Sequence, residues 1–402
     1  MDSSAAEQYL PPTSLWVNTY ILVNTLSLTA FWMYRSNLNY YIFENGGAQF
    51  DISLAESAYF LPSLIFTLLG GVIADSTKKL FRWLIIFTLA HIAILSTMAL
   101  AINLQSLSIL WIVLLTFLLG TVGAIRNSPS AVFVRFISPR QNIARTNSLL
   151  SAGFNVSRIA GPMAVAALAV AMTAESIFIL LPILSLPLLF FFMVLRSNEA
   201  RVKGLPALKT KQNTEFRLQD LATGYGWFMI AVASFFFCSN LLWTTLPFIF
   251  ADQTGIGLQL FGSAYAIFGV GAIFGSLLQP RLYRLHGISV CFLVGTLSYG
   301  SFYLLALVAP DIWILIGVSL GGAGMGLFFS SVNTHILLTA EEARQGRLLA
   351  LGTILTNGLL AVGSIILSWI ATQVSNEAAF VIALFLLLGL TSFAALKLRK
   401  AE

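Results

Sequence analysis

Two stretches of the chain, LLGTVGAIRNSPSAVFVRFISPRQNIAR at residues 118–145 and LGGAGMGLFFSSVNTHILLTAEEARQGR at residues 320–347, align without a gap. The same offset carries Gly161 onto Gly363. Such internal similarity marks a chain built from two copies of one unit. Each stretch also lies largely within an apolar run, and in the first Arg126 and Asn127 stand side by side where hydrocarbon is the expected surroundings.

Composition names the solvent. The 402 residues are 58% hydrophobic and 9% charged, with a mean hydropathy of +0.87. A soluble domain carries about 25% charged residues to wet its surface, so this chain belongs in a bilayer. Cys238 and Cys291 lie in apolar runs with no metal or redox spacing and read as packing residues. The polar start MDSSAAEQYLPPTS lacks the basic flank of a cleaved leader, and the segment after it reads as a retained span.

A span needs roughly 20 apolar residues. Twelve runs qualify: Leu15–Phe43, Ile52–Ala74, Phe81–Ile102, Ile109–Phe136, Thr146–Ala171, Ser176–Leu195, Leu221–Phe250, Leu258–Leu282, Ile288–Val308, Ile312–Leu338, Leu348–Ala371 and Ala378–Leu396. The connections after even-numbered spans, with the C-terminal tail, hold Lys78, Lys79, Arg82, Arg135, Arg140, Arg145, Arg281, Arg284, Arg344, Arg347 and a cluster between Arg196 and Arg217. The opposite connections hold Glu44, Asp51, Glu175, Asp252, Asp311 and Glu377, and no Lys or Arg. By the positive-inside rule both termini are expected in the cytoplasm. The expected architecture is all-α: residues 1–196 as one six-helix bundle, 197–220 as a cytoplasmic loop, and 221–402 as a second, pseudo-symmetric bundle, the two rocking about a midplane site.

Polar residues inside spans should face a cavity or another helix. Span one carries Asn24, Arg35, Asn37 and Asn39; span four Arg126 and Asn127; span five Asn155 and Arg158. Spans seven, ten and eleven carry Asn240, Asn333 with His335, and Asn357, while spans six and twelve carry no charge or amide and are expected to face lipid. Arg35 and Asn39 share one helical face with Asn24.

On these residues the chain resembles the major facilitator superfamily, in which helices one, four, seven and ten line the cavity. GGVIADSTKK at residues 70–79 is similar to that family's latch between spans two and three, through Gly71, Asp75, Lys78 and Lys79, although Ser76 stands where a basic residue is usual. NSLLSAGFNVSRIAGP at residues 147–162 resembles the fifth span of the drug:proton antiporter branch that includes macrolide pumps and enterobactin exporters. The pair Gly161–Pro162 matches the antiporter motif of exporting members. Two departures are plain: Phe31 stands near the position of the family's span-one acid, and no Gln-Gly follows Arg126.

Each guanidinium costs about 2.5–3.5 kcal/mol at the centre of a span on insertion scales. No acidic partner is expected deep in a span: Asp75 is placed at the cytoplasmic edge and Glu56 about one turn inside the outer edge. Arg35, Arg126 and Arg158 are therefore expected to make a positive cavity that grips carboxylates through their planar forks. Arg158 has a second reading, as a tie to neighbouring carbonyls. Asn37, Asn39, Asn127, Asn240, Trp243 and Asn333 complete the expected substrate contacts. Asp75, Lys78 and Lys79 read either as a solvated loop or as a gate, and with Gly71, Gly161 and Pro162 they are assigned to gating. Glu56 and Asp252 read as outer-edge carboxylates and as the candidate proton carriers, with protonation shared among several groups. His91 and His335 read as packed neutral side chains, the glycines of GGAGMG (residues 321–326) as close helix packing, and Asn155 as an idle buried sequon.

The expected function is a proton-coupled exporter of an anionic, carboxylate-rich small molecule such as a siderophore, working by alternating access as a monomer in a bacterial inner membrane. No cofactor, metal or nucleic acid is expected. The alternatives are a multidrug or macrolide efflux pump and, in another class, a receptor that does not transport. An enzyme is disfavoured because no catalytic or metal constellation recurs at helical spacing.

Overall fold

The computed structural model describes residues 14–75, 80–104, 108–138, 142–197, 218–250, 257–308, 312–340 and 342–399, and it is almost entirely helical. The first half contains α1 (Ser14–Glu44), α2 (Gln49–Phe60), α3 (Pro62–Asp75), α4 (Leu80–Asn103), α5 (Ile109–Ile137), α6 (Ile143–Leu168) and α7 (Ala174–Ser197). The second contains α8 (Leu218–Ser239), α9 (Leu241–Ile249), α10 (Gly257–Val308), α11 (Ile312–Thr339), α12 (Glu342–Gln373), α13 (Asn376–Leu386) and α14 (Ser392–Arg399). Every expected run falls on helix, with four corrections to its form, the simplest being that Ala378–Leu396 is α13 and α14 joined by a π-helical turn at Leu387–Thr391.

The run Ile52–Ala74 is two helices, because Pro62 has no N–H to return to Ala58 and the helix bends there. The run Leu221–Phe250 divides into α8 and α9 at Asn240, where the Trp243 amide bonds to the Asn240 carbonyl at 3.1 Å. The expected break between Leu282 and Ile288 is itself helical except at Gly287, whose φ of 75° suits a residue without Cβ. At 1.5 Å per residue the 52 residues of α10 would stretch about 78 Å, well beyond a hydrocarbon core of about 30 Å. Gly287 therefore reverses the chain, and α10 makes two arms.

Both arms pack on α11 through glycine. A Cβ at Gly322 would lie 2.0 Å from the Phe268 carbonyl oxygen, and one at Gly326 2.0 Å from that of Ala272, both on the first arm. On the second arm, a Cβ at Gly324 would lie 2.4 Å from the Gly295 carbonyl oxygen. The GGAGMG stretch is thus a packing surface. Pseudo-symmetry is visible in the same contacts. Gly161 of α6 seats against Trp32 and Thr29 of α1, and its counterpart Gly363 of α12 seats against Phe237 of α8.

The apolar side chains divide into interior and lipid-facing sets. Tyr20, Phe133, Phe191 and Phe192 form one edge-on aromatic cluster in the first bundle. Phe328 stacks between Phe235 (3.9 Å) and Phe292 (4.2 Å) in the second. Leu100 on α4, Phe190 on α7, Leu304 on the second arm of α10 and Phe385 on α13 are exposed, as spans facing lipid require. His91 is buried and His335 is held by Tyr283 at 3.0 Å against the Phe228 ring, both as packed side chains.

Among the described residues, eight helical stretches are long and apolar enough to cross a membrane. Those stretches leave out α1, the α2–α3 pair and α6. These are the helices that carry the polar site.

The glycine seats give a direct test. Gly322→Val or Gly326→Val should destabilise the protein by about 1–3 kcal/mol or more, the usual cost of overpacking. Gly226→Ala, where a Cβ meets nothing within 4 Å, should be neutral or gain up to about 1 kcal/mol of helix propensity. Denaturant midpoints of the detergent-solubilised variants would check both.

Candidate functional site

The site begins with the hairpin of α1 and α2. The turn at residues 45–48, with Gly46 at φ 77°, sends α2 back along α1. Arg35 lies about three helical turns before that turn and Glu56 about two after it, and the two side chains meet. The Arg35 guanidinium (Nη2) donates to Glu56 Oε2 in an ion pair whose side chains are 9% and 2% exposed. Asn39, one turn from Arg35, donates from Nδ2 to Glu56 Oε1 at 2.8 Å and to the Tyr265 hydroxyl of α10 at 3.4 Å. This corrects the expectation of an unpaired Arg35: a carboxylate does lie deep, and Glu56 is not a wet residue at the outer edge. The expectation failed because the run was started at Ile52; α2 starts at Gln49, and its hairpin register carries Glu56 inward.

Trp32, which sequence reasoning passed over, organises the rest. Its ring lies under two guanidiniums, Arg35 at 5.2 Å and Arg158 of α6 at 5.5 Å from the ring centroid. Arg158 also lies over Phe268 of α10 at 4.9 Å, and Arg35 over Phe60 at 5.1 Å. Cation–π contact compensates in part for the water an arginine gives up. Gly161 admits this arrangement, since a Cβ there would lie 2.6 Å from the Trp32 Cβ. Three buried polar atoms in this region have no hydrogen-bond partner: Trp32 Nε1, Arg35 Nε and Asn39 Oδ1. Two are donors beside one another, and an orphaned buried group costs about 1–3 kcal/mol.

Arg126 stands elsewhere. It is half-buried, its electrostatic neighbours are the phenols of Tyr20 and Tyr59, and it has no carboxylate partner among the described residues. Tyr59 packs at a tilt against Phe31 at 4.7 Å and has Arg35 as a second charged neighbour, which puts a phenol between the two guanidiniums. The structure therefore brings Arg35 together with Arg158 rather than with Arg126.

The remaining expected contacts divide. Asn127 is exposed on α5. Asn37 is turned away from Glu56 and donates to the Ala174 carbonyl of α7 at 2.7 Å. Asn240 donates to Ser364 at 2.9 Å inside the second bundle, and Asn333 donates to Phe329 of its own helix at 3.3 Å. Trp243 is buried and stacked on Tyr265 at 3.7 Å, so it touches the Arg35 network through that ring. Gly71 lies in α3 in open space, and the Pro162 carbonyl oxygen lies so close to Gly262 of α10, at an interbundle contact, that a Cβ there would be 2.8 Å from it. The side chain of Asp75, and Lys78, Lys79 and Asp252 entirely, lie outside the described residues. Among the described residues no cluster of His, Cys, Asp or Glu suits a metal ion.

The bundles meet here at the end that carries Gly46. Phe43 packs edge-on to Phe248 at 5.0 Å, and Asn39 reaches Tyr265. The arginines sit beneath that contact, where α1 and α6 of the first bundle face α10 of the second.

Residues 13–402 match the sequence model of a family described as transmembrane secretion effector, a branch of the major facilitator superfamily. The chain belongs to that family. Solved structures of the same fold include a mutant of the nucleoside transporter NupG (TM-score 0.76, 13% identity, 95% of this chain and 99% of that one). A mutant of the peptide transporter POT is similar at a TM-score of 0.75 and 14% identity, over 96% of this chain and 94% of the other. A bacterial homolog of the human lysosomal transporter Spinster, in an inward-facing, unoccupied conformation, matches at 0.67 and 13% over 98% of each chain. No curated protein sequence matches. This protein is a multi-pass membrane transporter of the major facilitator type, and not an enzyme.

The ion pair predicts a thermodynamic pattern. Removing one partner strands a buried charge, whereas replacing both by apolar groups does not. Glu56→Leu should cost about 3–5 kcal/mol, and Arg35→Met with Glu56→Leu should recover most of it. A double-mutant cycle on denaturant midpoints would measure the coupling.

Proposed function

We propose that this transporter exports an anionic, carboxylate-rich small molecule, with a siderophore as the best fit, by alternating access in a bacterial inner membrane. Both termini lie in the cytoplasm, residues 1–196 and 221–402 rock as units about the 197–220 connection, and the monomer is sufficient. The observation that carries this reading is a charge count in the first bundle. Arg35, Arg158 and Arg126 lie within the helices, and Glu56 is the one described carboxylate at that depth; it pairs with Arg35, which leaves Arg158 beside the pair, and Arg126 apart from it, for an anion. The orphaned Trp32 Nε1 and Arg35 Nε are further donors without an acceptor.

The acidic end supports export. A cavity of about 420 Å³ at the Gly46 end is lined by Tyr41, Asn45, Asp51 and Glu175 among others. Nearby, burial and the neighbouring Glu175 raise the Glu44 carboxyl above its usual range. An anion is repelled from this mouth and drawn toward the basic end of the protein. Release at the acidic end is then favoured over capture there. Gly161 and Pro162 sit where α6 meets α1 and α10, in keeping with a pivot. The latch at Gly71, Asp75, Lys78 and Lys79 would bias the two-state equilibrium at the other end.

Glu56 is the proton carrier in this reading, in preference to Asp252 or to several shared groups, and charge sets the sign. A proton on Glu56 releases Arg35, and an anion on Arg35 strands an ionised Glu56, so proton and anion strengthen each other's binding. Exchange of one against the other, as the antiporter resemblance implies, needs the opposite sign. The membrane potential supplies an outward drive of about 2.3 kcal/mol per elementary charge per 100 mV, which suits a polyanion.

A multidrug exporter is the second reading, favoured by the deep acid Glu56 among Trp32, Tyr59 and Phe60. Arg35 neutralises that acid, and the first reading is preferred.

Two measurements test the proposal. The purified protein should bind a polycarboxylate siderophore, and Glu56→Gln, which frees the Arg35 fork from its carboxylate, should tighten that binding. Arg35→Ala and Arg158→Ala should each weaken binding by roughly tenfold or more, the loss of a charge-assisted hydrogen bond. Unchanged binding in both variants, or a parent that prefers a lipophilic cation, would hand the function to the multidrug reading.

A further inference from the structure

The turn between α1 and α2 does more than reverse the chain. Gly47 has no room for a Cβ, which would lie 2.5 Å from the Ile42 side chain and 2.7 Å from its carbonyl oxygen. The tight turn sets Gln49, the first residue of α2, against α9 of the other bundle. Gln49 is 5% exposed, and its Nε2 donates to Thr245 Oγ1 at 2.8 Å and to Thr244 Oγ1 at 3.4 Å. Thr245 gives its own proton to the Leu241 carbonyl at 2.7 Å. Thr244 gives its proton to the same carbonyl at 3.0 Å or to Ser368 of α12 at 2.9 Å.

A hydroxyl has one proton and two lone pairs. Both protons are committed within the second bundle, so the surface offered to Gln49 is made of acceptors. The Gln49 amide fits it with two N–H groups.

We propose that Gln49 is the positioning residue that bolts the Gly46 end of the transporter shut, and that the Thr244–Thr245 pair accepts only a hydrogen-bond donor there. The proposal rests on alternating access and not on the substrate. Its failure would leave the anion reading standing, and failure of the anion reading would leave the bolt standing.

Gln49→Glu is the decisive substitution because it keeps the shape and inverts the chemistry. An ionised carboxylate would face two sets of lone pairs, and the end should open. A protonated carboxyl regains an O–H donor, and the end should close again. Few other ionisable groups face this position. Asp51 of α2 is occupied by the Ala48 amide at 2.8 Å, Glu44 ends α1, and neither α9 nor residues 361–373 of α12 carries any. Opening is read as alkylation of Phe248→Cys, in the seam against Phe43, by a membrane-impermeant maleimide, with Cys238 and Cys291 replaced by alanine. Rates are taken relative to the same protein with Gln49 at each pH, which cancels the reagent's own pH dependence.

At pH 8 Gln49→Glu should label about tenfold faster than its parent, the shift expected on losing a hydrogen bond of this kind, and the ratio should fall toward one by pH 5. Gln49→Leu, which neither donates nor titrates, should label faster at every pH, and it keeps the question answerable if the glutamate variant does not insert. A ratio near one at pH 8 in both variants, or an excess in Gln49→Glu that acidification does not reduce, overturns the proposal.

Discussion

A buried guanidinium has to be answered by something, and the architecture of the first bundle follows from how Arg35 is answered. Glu56 neutralises it, Asn39 steadies Glu56, and Trp32 and Phe60 supply ring faces. In a low-dielectric interior such a pair contributes little net stability but is costly to break on one side. Removing either partner would leave the other uncompensated at a point where α1, α2 and α10 converge.

The second bundle is built on the same plan with the charge removed. Gly161 and Gly363, related by the repeat, seat corresponding helices against their neighbours. Arg126 and Phe328 are related in the same way, yet one is a half-buried cation and the other the middle ring of a three-ring stack. Duplication preserved the packing, which depends on backbone approach. It did not preserve the chemistry, which depends on single side chains. Membrane helices gain little from apolar association against lipid, so glycine seats of this kind are where their specificity is found.

Much of the fold was legible because the bilayer imposes coarse rules: run length and repeat register both survive without knowledge of contacts. The site was read less well, for specific reasons. Arg35 and Glu56 were both noticed, but their pairing depends on where α2 begins, and apolar content placed that start at Ile52 rather than Gln49. Counting outward from the Gly46 turn would have matched residue 35 with residue 56. Asn37 and Asn240 were credited with facing the cavity because amides are rare in spans. Each instead ties two helices together, to Ala174 and to Ser364. Trp32, Tyr59 and Tyr265 escaped notice because aromatic residues are common in this chain, and nothing in the sequence separates a ring that carries a cation from one that fills a gap.

The stack of Phe235, Phe328 and Phe292 has a mechanical consequence. All three rings are fully buried, and they come from α8, α11 and the second arm of α10. A close-packed interior has low compressibility and transmits strain. A push on any one of these helices is therefore carried to the other two, and this part of the second bundle yields as one piece rather than helix by helix.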